Sequence, residues 1–256
     1  MIEFGGLRLN GYGLLIGLGI WLATEVSVWS GKKVGIKKEV IEKGFWWIVG
    51  GGLIGARLYH VVDYWEIYGK NWIEILMVWR GGLGIWGAIG GGGVGLLWFY
   101  LKNKDRLGLD LFRLLDVAVV GVPLAQAIGR WGNYINGELY GKATNLPWGI
   151  KVMGVEGKVH PLFLYESGLN LGLFALLIWA VNRQKGKGAG GRVAGTYLIG
   201  YGLTRFFLES LRPEEMVWQI GGMAVAQVVA GVAVLMGIVF VKRGARRGGW
   251  LPAGKN

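Results

Sequence analysis

Apolar residues gather in seven stretches, 11–29, 44–62, 81–101, 114–128, 161–181, 193–211 and 219–241, separated by charged or Gly-rich connections. Most approach the roughly 20 residues that carry a helix across a bilayer core. The fourth is the shortest and holds Asp116. The pattern predicts an all-α, polytopic membrane protein of about seven transmembrane helices. The first stretch has only Arg8 ahead of it and runs through Glu25 without an Ala-x-Ala-like site, so it is expected to stay as a span and not be removed as a signal peptide. No long polar linker or heptad run interrupts the series. Residues 1–241 therefore form one expected transmembrane domain, with a small extramembrane cap at 129–160, a flexible Gly-rich inner loop at 186–191 and a basic tail at 242–256.

Composition sharpens this picture. Hydrophobic residues make up 53% of the chain, charged residues 17%, and the mean hydropathy is +0.42. The 49 glycines concentrate in the second, third, sixth and seventh stretches, where small residues let helices approach closely. Cysteine is absent, so any thiol chemistry must use a substrate's thiol. The net charge of +12 is not a nucleic-acid signature, because it is distributed by connection. Eighteen Lys and Arg fall in the connections after stretches one, three, five and seven, against eight on the opposite side. The positive-inside rule then puts the N-terminus outside and the C-terminus in the cytoplasm. With that topology Tyr12, Trp86 and Glu166 lie near the outer ends of descending spans, and Arg57, Arg205 and Glu209 in the outer parts of ascending ones. A lipid-binding cavity opening toward the outer leaflet follows.

Polar residues inside lipid are costly unless they meet a substrate, a partner or water. Residues 129–141, Gly-Arg-Trp-Gly-Asn-Tyr-Ile-Asn-Gly-Glu-Leu-Tyr-Gly, place a cation, two amides and a carboxylate directly after the fourth stretch. Arg130 among glycines suits a phosphate, Asn133 and Asn136 suit glycerol hydroxyls, and Glu138 suits orienting Arg130 or accepting a proton. Arg205, Glu209 and Arg212 share one helical stripe. A self-neutralising Arg205–Glu209 ion pair competes there with bidentate phosphate binding. For Arg57, substrate contact competes with snorkelling to headgroups. Asp116 suits helix packing or capping, and Trp65, Trp72 and Trp79 suit an interfacial belt. The Gly82-Leu-Gly84-Ile-Trp-Gly87 match to a dinucleotide fingerprint opens a membrane span and carries no weight. His60 and His160 lie too far apart in sequence, without Cys partners, to suggest a metal site.

The 129–141 segment resembles the signature of the prolipoprotein diacylglyceryl transferase family. Further landmarks agree: Tyr12-Gly-Leu14, Gly55-Ala-Arg57-Leu-Tyr59, Trp79-Arg-Gly-Gly-Leu83, His160-Pro-x-x-x-Tyr165-Glu166 and Gly200-Tyr-Gly-x-x-Arg205-Phe-x-x-Glu209. The resemblance covers about nine tenths of the chain. It implies a bacterial plasma-membrane transferase that moves diacylglyceryl from phosphatidylglycerol to the lipobox cysteine of a prolipoprotein signal peptide, forming a thioether and releasing glycerol phosphate. The expected catalytic residues are Arg130, Arg205, Glu209 and Glu138. The expected substrate-binding residues are Arg130, Asn133, Asn136, Gly141, Tyr12, Arg57, Trp86 and Glu166. No cofactor or metal is expected. Many family members carry a histidine where this chain has Trp86. Thiol activation then falls to Glu209, Glu138, Tyr12 or the arginines themselves, and Trp86 is free to pack on an acyl chain or an arginine. An anion transporter and a membrane scaffold are the rival classes. The chain lacks the two matching halves of the first, and the second leaves the arginines unexplained.

Overall fold

The seven apolar stretches map onto helices in the computed structural model, which describes residues 2–4, 7–9, 11–108, 110–183 and 190–247. The helices are α1 Gly11–Lys33, α2 Lys38–Asp63, α3 Trp65–Tyr68, α4 Ile85–Leu107, α5 Leu111–Val119, α6 Val122–Ile135, α7 Leu162–Arg183, α8 Arg192–Glu209 and α9 Val225–Arg247. Among the described residues, four segments are long and apolar enough to cross a membrane: Gly11–Lys33, Leu111–Ile135, Leu162–Arg183 and Val225–Ala245. Beside a buried apolar core, large apolar side chains face outward and ionisable ones are buried. Leu18, Trp21, Leu171, Trp179, Val232 and Leu235 are exposed, while Arg57, Asp116, Glu166, Asn170, Glu209 and Arg212 are buried. Such a surface is stable in lipid and costly in water.

Several boundaries differ from the pattern. The fourth stretch is two helices, because Pro123 in the first turn of α6 lacks an N–H and Gly121 abuts the Ala23 backbone. Moreover, α6 runs on to Ile135, so Arg130 and Asn133 sit on a helix and not in the outer connection. The seventh stretch begins as a hairpin, β3 Gln219–Ile220 with β4 Met223–Ala224, turned by Gly221 and Gly222 at φ +59° and +79°. Positive φ at both central residues is the demand of a tight two-residue turn, and Gly-Gly meets it. A second antiparallel hairpin pairs β1 Ile2–Phe4 with β2 Leu7–Leu9. Most of the Gly-rich inner loop, residues up to 189, and the tail from 248 lie outside the described residues.

The chain divides into two compact units. In the unit Ile36–Leu111, α2 packs on α4 through glycine. A Cβ on Gly55, Gly87 or Gly91 would collide with the opposing helix backbone, so the two helices touch main chain to main chain. This is the role of Gly87 in the dinucleotide-like match: a packing residue, not a phosphate loop.

The other unit joins Met1–Gly35 to Phe112–Asn256. Here α6 lies between α1 and α7, and α8 packs on both α7 and α9. Gly195 and Gly237 bring α8 and α9 together as the glycines do in the first unit. Val120, Leu173, Leu177, Val181 and Val193 form a buried apolar cluster at the α7–α8 contact. Asp116 is a cap: its Oδ2 accepts the Gly191 N–H and its Oδ1 the Ala194 N–H, both at 2.8 Å, fixing the first turn of α8 to α5.

Candidate active site

Glu166 is the hub of the site. It lies in the first turns of α7, 4% exposed, and its Oε2 is 2.5 Å from Arg130 Nε on α6. Its Oε1 lies 3.7 Å from Arg205 Nη1 on α8 and 3.7 Å from Arg212 Nη2 just beyond α8. Glu209 completes the group, with Oε2 at 2.7 Å from Arg205 Nη2 and 3.4 Å from Arg212 Nε. Three guanidiniums against two carboxylates leave one net positive charge. The Arg205–Glu209 pair thus exists, but it does not neutralise the site. Among the described residues, Arg205 Nη1, Arg212 Nε and Glu209 Oε2 are buried and meet their ion-pair partners without a hydrogen bond. Burial, and then the neighbouring Arg205 charge, pull the Arg212 guanidinium below its ordinary value. Crowded, incompletely paired positive charge of this kind favours a bound anion.

The helices set this geometry. Gly132 lets Tyr12 of α1 lie against α6, because a Cβ there would strike the Tyr12 ring. On the opposite side Trp131 Nε1 donates to Ser167 Oγ, which donates to the Ala127 carbonyl, locking α6 to α7. Arg130 Nη1 donates to Asn133 Oδ1 at 3.3 Å, and the Asn133 carbonyl accepts the Glu138 N–H at 2.9 Å. Thus Glu166 and Asn133, not Glu138, orient Arg130. Glu138 instead takes a 3.3 Å hydrogen bond from Asn136 Nδ2 in an exposed turn, where Gly137 and Leu139 both have positive φ. Gly141 is a crossing point of three strands of chain. Its N–H donates to the His160 carbonyl, Lys142 N–H donates to the Leu211 carbonyl, and a Cβ at 141 would fall 2.6 Å from His160 Cβ. The signature segment is thereby tied to the residue preceding Arg212.

Arg57 and Trp86 belong to the other unit. The Arg57 guanidinium is 6% exposed and is used by backbone: it donates to the Ile75, Gly81 and Gly82 carbonyls at 2.8, 2.7 and 3.0 Å, and to the Glu74 carbonyl, with the Tyr68 ring 5.0 Å away. It organises the connection 70–84. Trp86 lies in the first turn of α4 and is exposed. Arg212 was visible in the sequence only as the third member of a stripe, and its place in the cluster emerges from the fold.

Sequence comparison settles the family. A family model described as prolipoprotein diacylglyceryl transferase matches residues 1–243. The chain belongs to the prolipoprotein diacylglyceryl transferase family. It is 41% identical over 234 residues to the phosphatidylglycerol–prolipoprotein diacylglyceryl transferase of Clostridioides difficile strain 630, covering 91% of this chain and 90% of that protein. It is 37% identical over 248 residues to the Synechocystis enzyme of that name, covering 93% and 86%. For the Streptomyces griseus enzyme the figures are 38% over 252 residues, 94% and 74%. The match to the diacylglyceryl transferases spans both units and includes every member of the charged cluster.

Proposed function

We propose that the cluster of Arg130, Arg205 and Arg212 with Glu166 and Glu209 receives the phosphodiester of phosphatidylglycerol during diacylglyceryl transfer. The chain is a transferase of lipoprotein biosynthesis, and its relatives are named for phosphatidylglycerol and prolipoprotein. In the reaction the thiol sulfur of the precursor cysteine attacks the glyceryl carbon bonded to the phosphate. A C–S bond forms, the C–O bond breaks, and the thiol proton leaves with glycerol phosphate. Charge grows on the departing phosphate oxygen, and preorganised guanidiniums stabilise it without reorganisation. The observation that carries this reading is the net positive charge of a buried cluster in which Arg205 Nη1 and Arg212 Nε meet carboxylates only as ion pairs, without a hydrogen bond.

In the cluster's own unit, Tyr12 and Asn133 hold Arg130's helix turn and side chain, Asn136 and Glu138 face the headgroup glycerol, and Gly141 fixes the outer floor; in the other unit Arg57 shapes the connection 70–84 and Trp86 packs on an acyl chain. Seven helices span the membrane with the N-terminus outside and the C-terminus in the cytoplasm, the arrangement the charge asymmetry favours. The cluster then opens to the outer leaflet, where a secreted precursor presents its cysteine. Residues 136–160, the part of the expected cap beyond α6, cover it, and residues after 241 form the cytoplasmic tail.

Purified protein in nanodiscs with phosphatidylglycerol and a lipobox peptide tests the assignment. Release of glycerol phosphate with a diacylglyceryl mass gain on the peptide is expected. Peptide binding without either product would return the protein to the scaffold class.

A further inference from the structure

In the unit Ile36–Leu111, the glycines that let α2 and α4 touch leave a groove along their contact. Its volume is about 530 Å³. The helices run antiparallel, since Gly95 meets Trp47 and Gly87 meets Gly55. Five glycines line the groove, with Trp46, Trp47 and Trp98 at one end and Leu58 at the other, and no charged side chain lines it.

Size selects the occupant. From Trp46 to Leu58 α2 rises about 18 Å, close to the roughly 15 Å of hydrocarbon in one leaflet. The volume spread over that length gives a section of roughly 30 Å², about 6 Å across. A helix with its side chains is about 10–12 Å across and does not seat there. A single polymethylene chain does, with its carbons about 4 Å from the walls.

The end that carries the indoles also carries charge. Lys43 precedes Trp47 by four residues and Lys102 follows Trp98 by four, so each continues a groove-lining stripe one turn beyond the indoles. Both are exposed, and neither forms an ion pair among the described residues. The adjacent acid, Glu42, is paired with Lys38 at 3.4 Å. Residues 38–43 and 102–106 together hold five cations against Glu39, Glu42 and Asp105, so this end is net positive. Indoles at the interface with lysines just outside them suit a phospholipid headgroup, and the sign of the charge selects an anionic one.

We propose that the groove holds one acyl chain of an anionic phospholipid whose phosphate is bound by Lys43 and Lys102. The lipid is a resident and not a substrate, because the groove offers no guanidinium, carboxylate or amide side chain to act on a glyceryl carbon. The proposal does not depend on the phosphate role of the charged cluster.

The test is photolabelling in phosphatidylcholine nanodiscs with a trace of phosphatidylserine carrying a diazirine on its acyl chain, compared with phosphatidylcholine carrying the same label. Peptides spanning 46–58 and 91–98 should be labelled, with the serine lipid favoured by about 10- to 30-fold for two lysines at the headgroup. Lys43→Gln and Lys102→Gln should each reduce that preference about 5-fold. Gly50 lines the groove, and a Cβ there meets nothing within 4 Å. Gly50→Leu should therefore fill the groove and remove the label of both lipids. Gly90 is equally open but does not line the groove, so Gly90→Leu should leave the label unchanged. Where Gly50→Leu fails to insert, the exposed lysine variants decide alone. Equal labelling by the two lipids, an undiminished label in Gly50→Leu, or a preference untouched by both lysine changes overturns the proposal. So does efficient bismaleimide joining of Val94→Cys between copies, which would make the groove an interface between two chains.

Discussion

At the residue scale, the site is a matter of which groups hold each guanidinium. Arg130 is clamped by a buried carboxylate and an amide, so it presents a fixed fork, and lysine at that position supplies charge without the fork. Arg130→Lys should lower kcat/KM for phosphatidylglycerol by about 10²-fold. Glu166→Gln removes the charge that three arginines share. Its expected effect is a fall in kcat and loss of about 3 kcal/mol or more of stability, as for breaking a buried ion pair from one side, measured by denaturation in detergent. Trp86→Ala, in contrast, should cost far less activity than either arginine truncation. Arg205 and Glu209 were legible from polarity inside an apolar stretch, and Arg130 from the dense polarity directly after one. The hub role of Glu166 was not, because a single acid near the start of a span reads the same whether it faces one partner or three. Arg57 shows the converse: an intramembrane-looking arginine suggests a ligand, but its donors go to backbone carbonyls of a connection whose path no spacing rule predicts.

Among elements, two devices set helix positions, glycine contacts and the Asp116 cap. Gly91→Leu should drive α2 and α4 apart and lower the midpoint of thermal unfolding, whereas leucine at Gly90, where a Cβ meets nothing within 4 Å, should be tolerated. Asp116→Ala leaves the Gly191 and Ala194 N–H groups without their acceptor and is expected to destabilise the protein by about 2 kcal/mol, with faster amide exchange confined to the first turn of α8. The helical segments themselves were readable from apolar length. The extension of α6 through the signature was not, since Gly129 and Gly132 look like breakers in sequence and act here as contact surfaces for α1.

On the scale of the whole molecule, function depends on which side of the membrane the cluster faces. The chain has no cysteine, so single introduced cysteines report topology without background. Met153→Cys, at a position 99% exposed, should react with a membrane-impermeant maleimide in intact cells, and Lys104→Cys only after permeabilisation. The reverse pattern would invert the topology. The most direct measure of the central claim is diacylglyceryl transfer by Arg130→Ala and Arg205→Ala in nanodiscs containing phosphatidylglycerol, each variant first shown to be folded. If the guanidiniums jointly hold the phosphate, each loses about 10³-fold or more in kcat/KM. Near-native turnover by both would contradict the account.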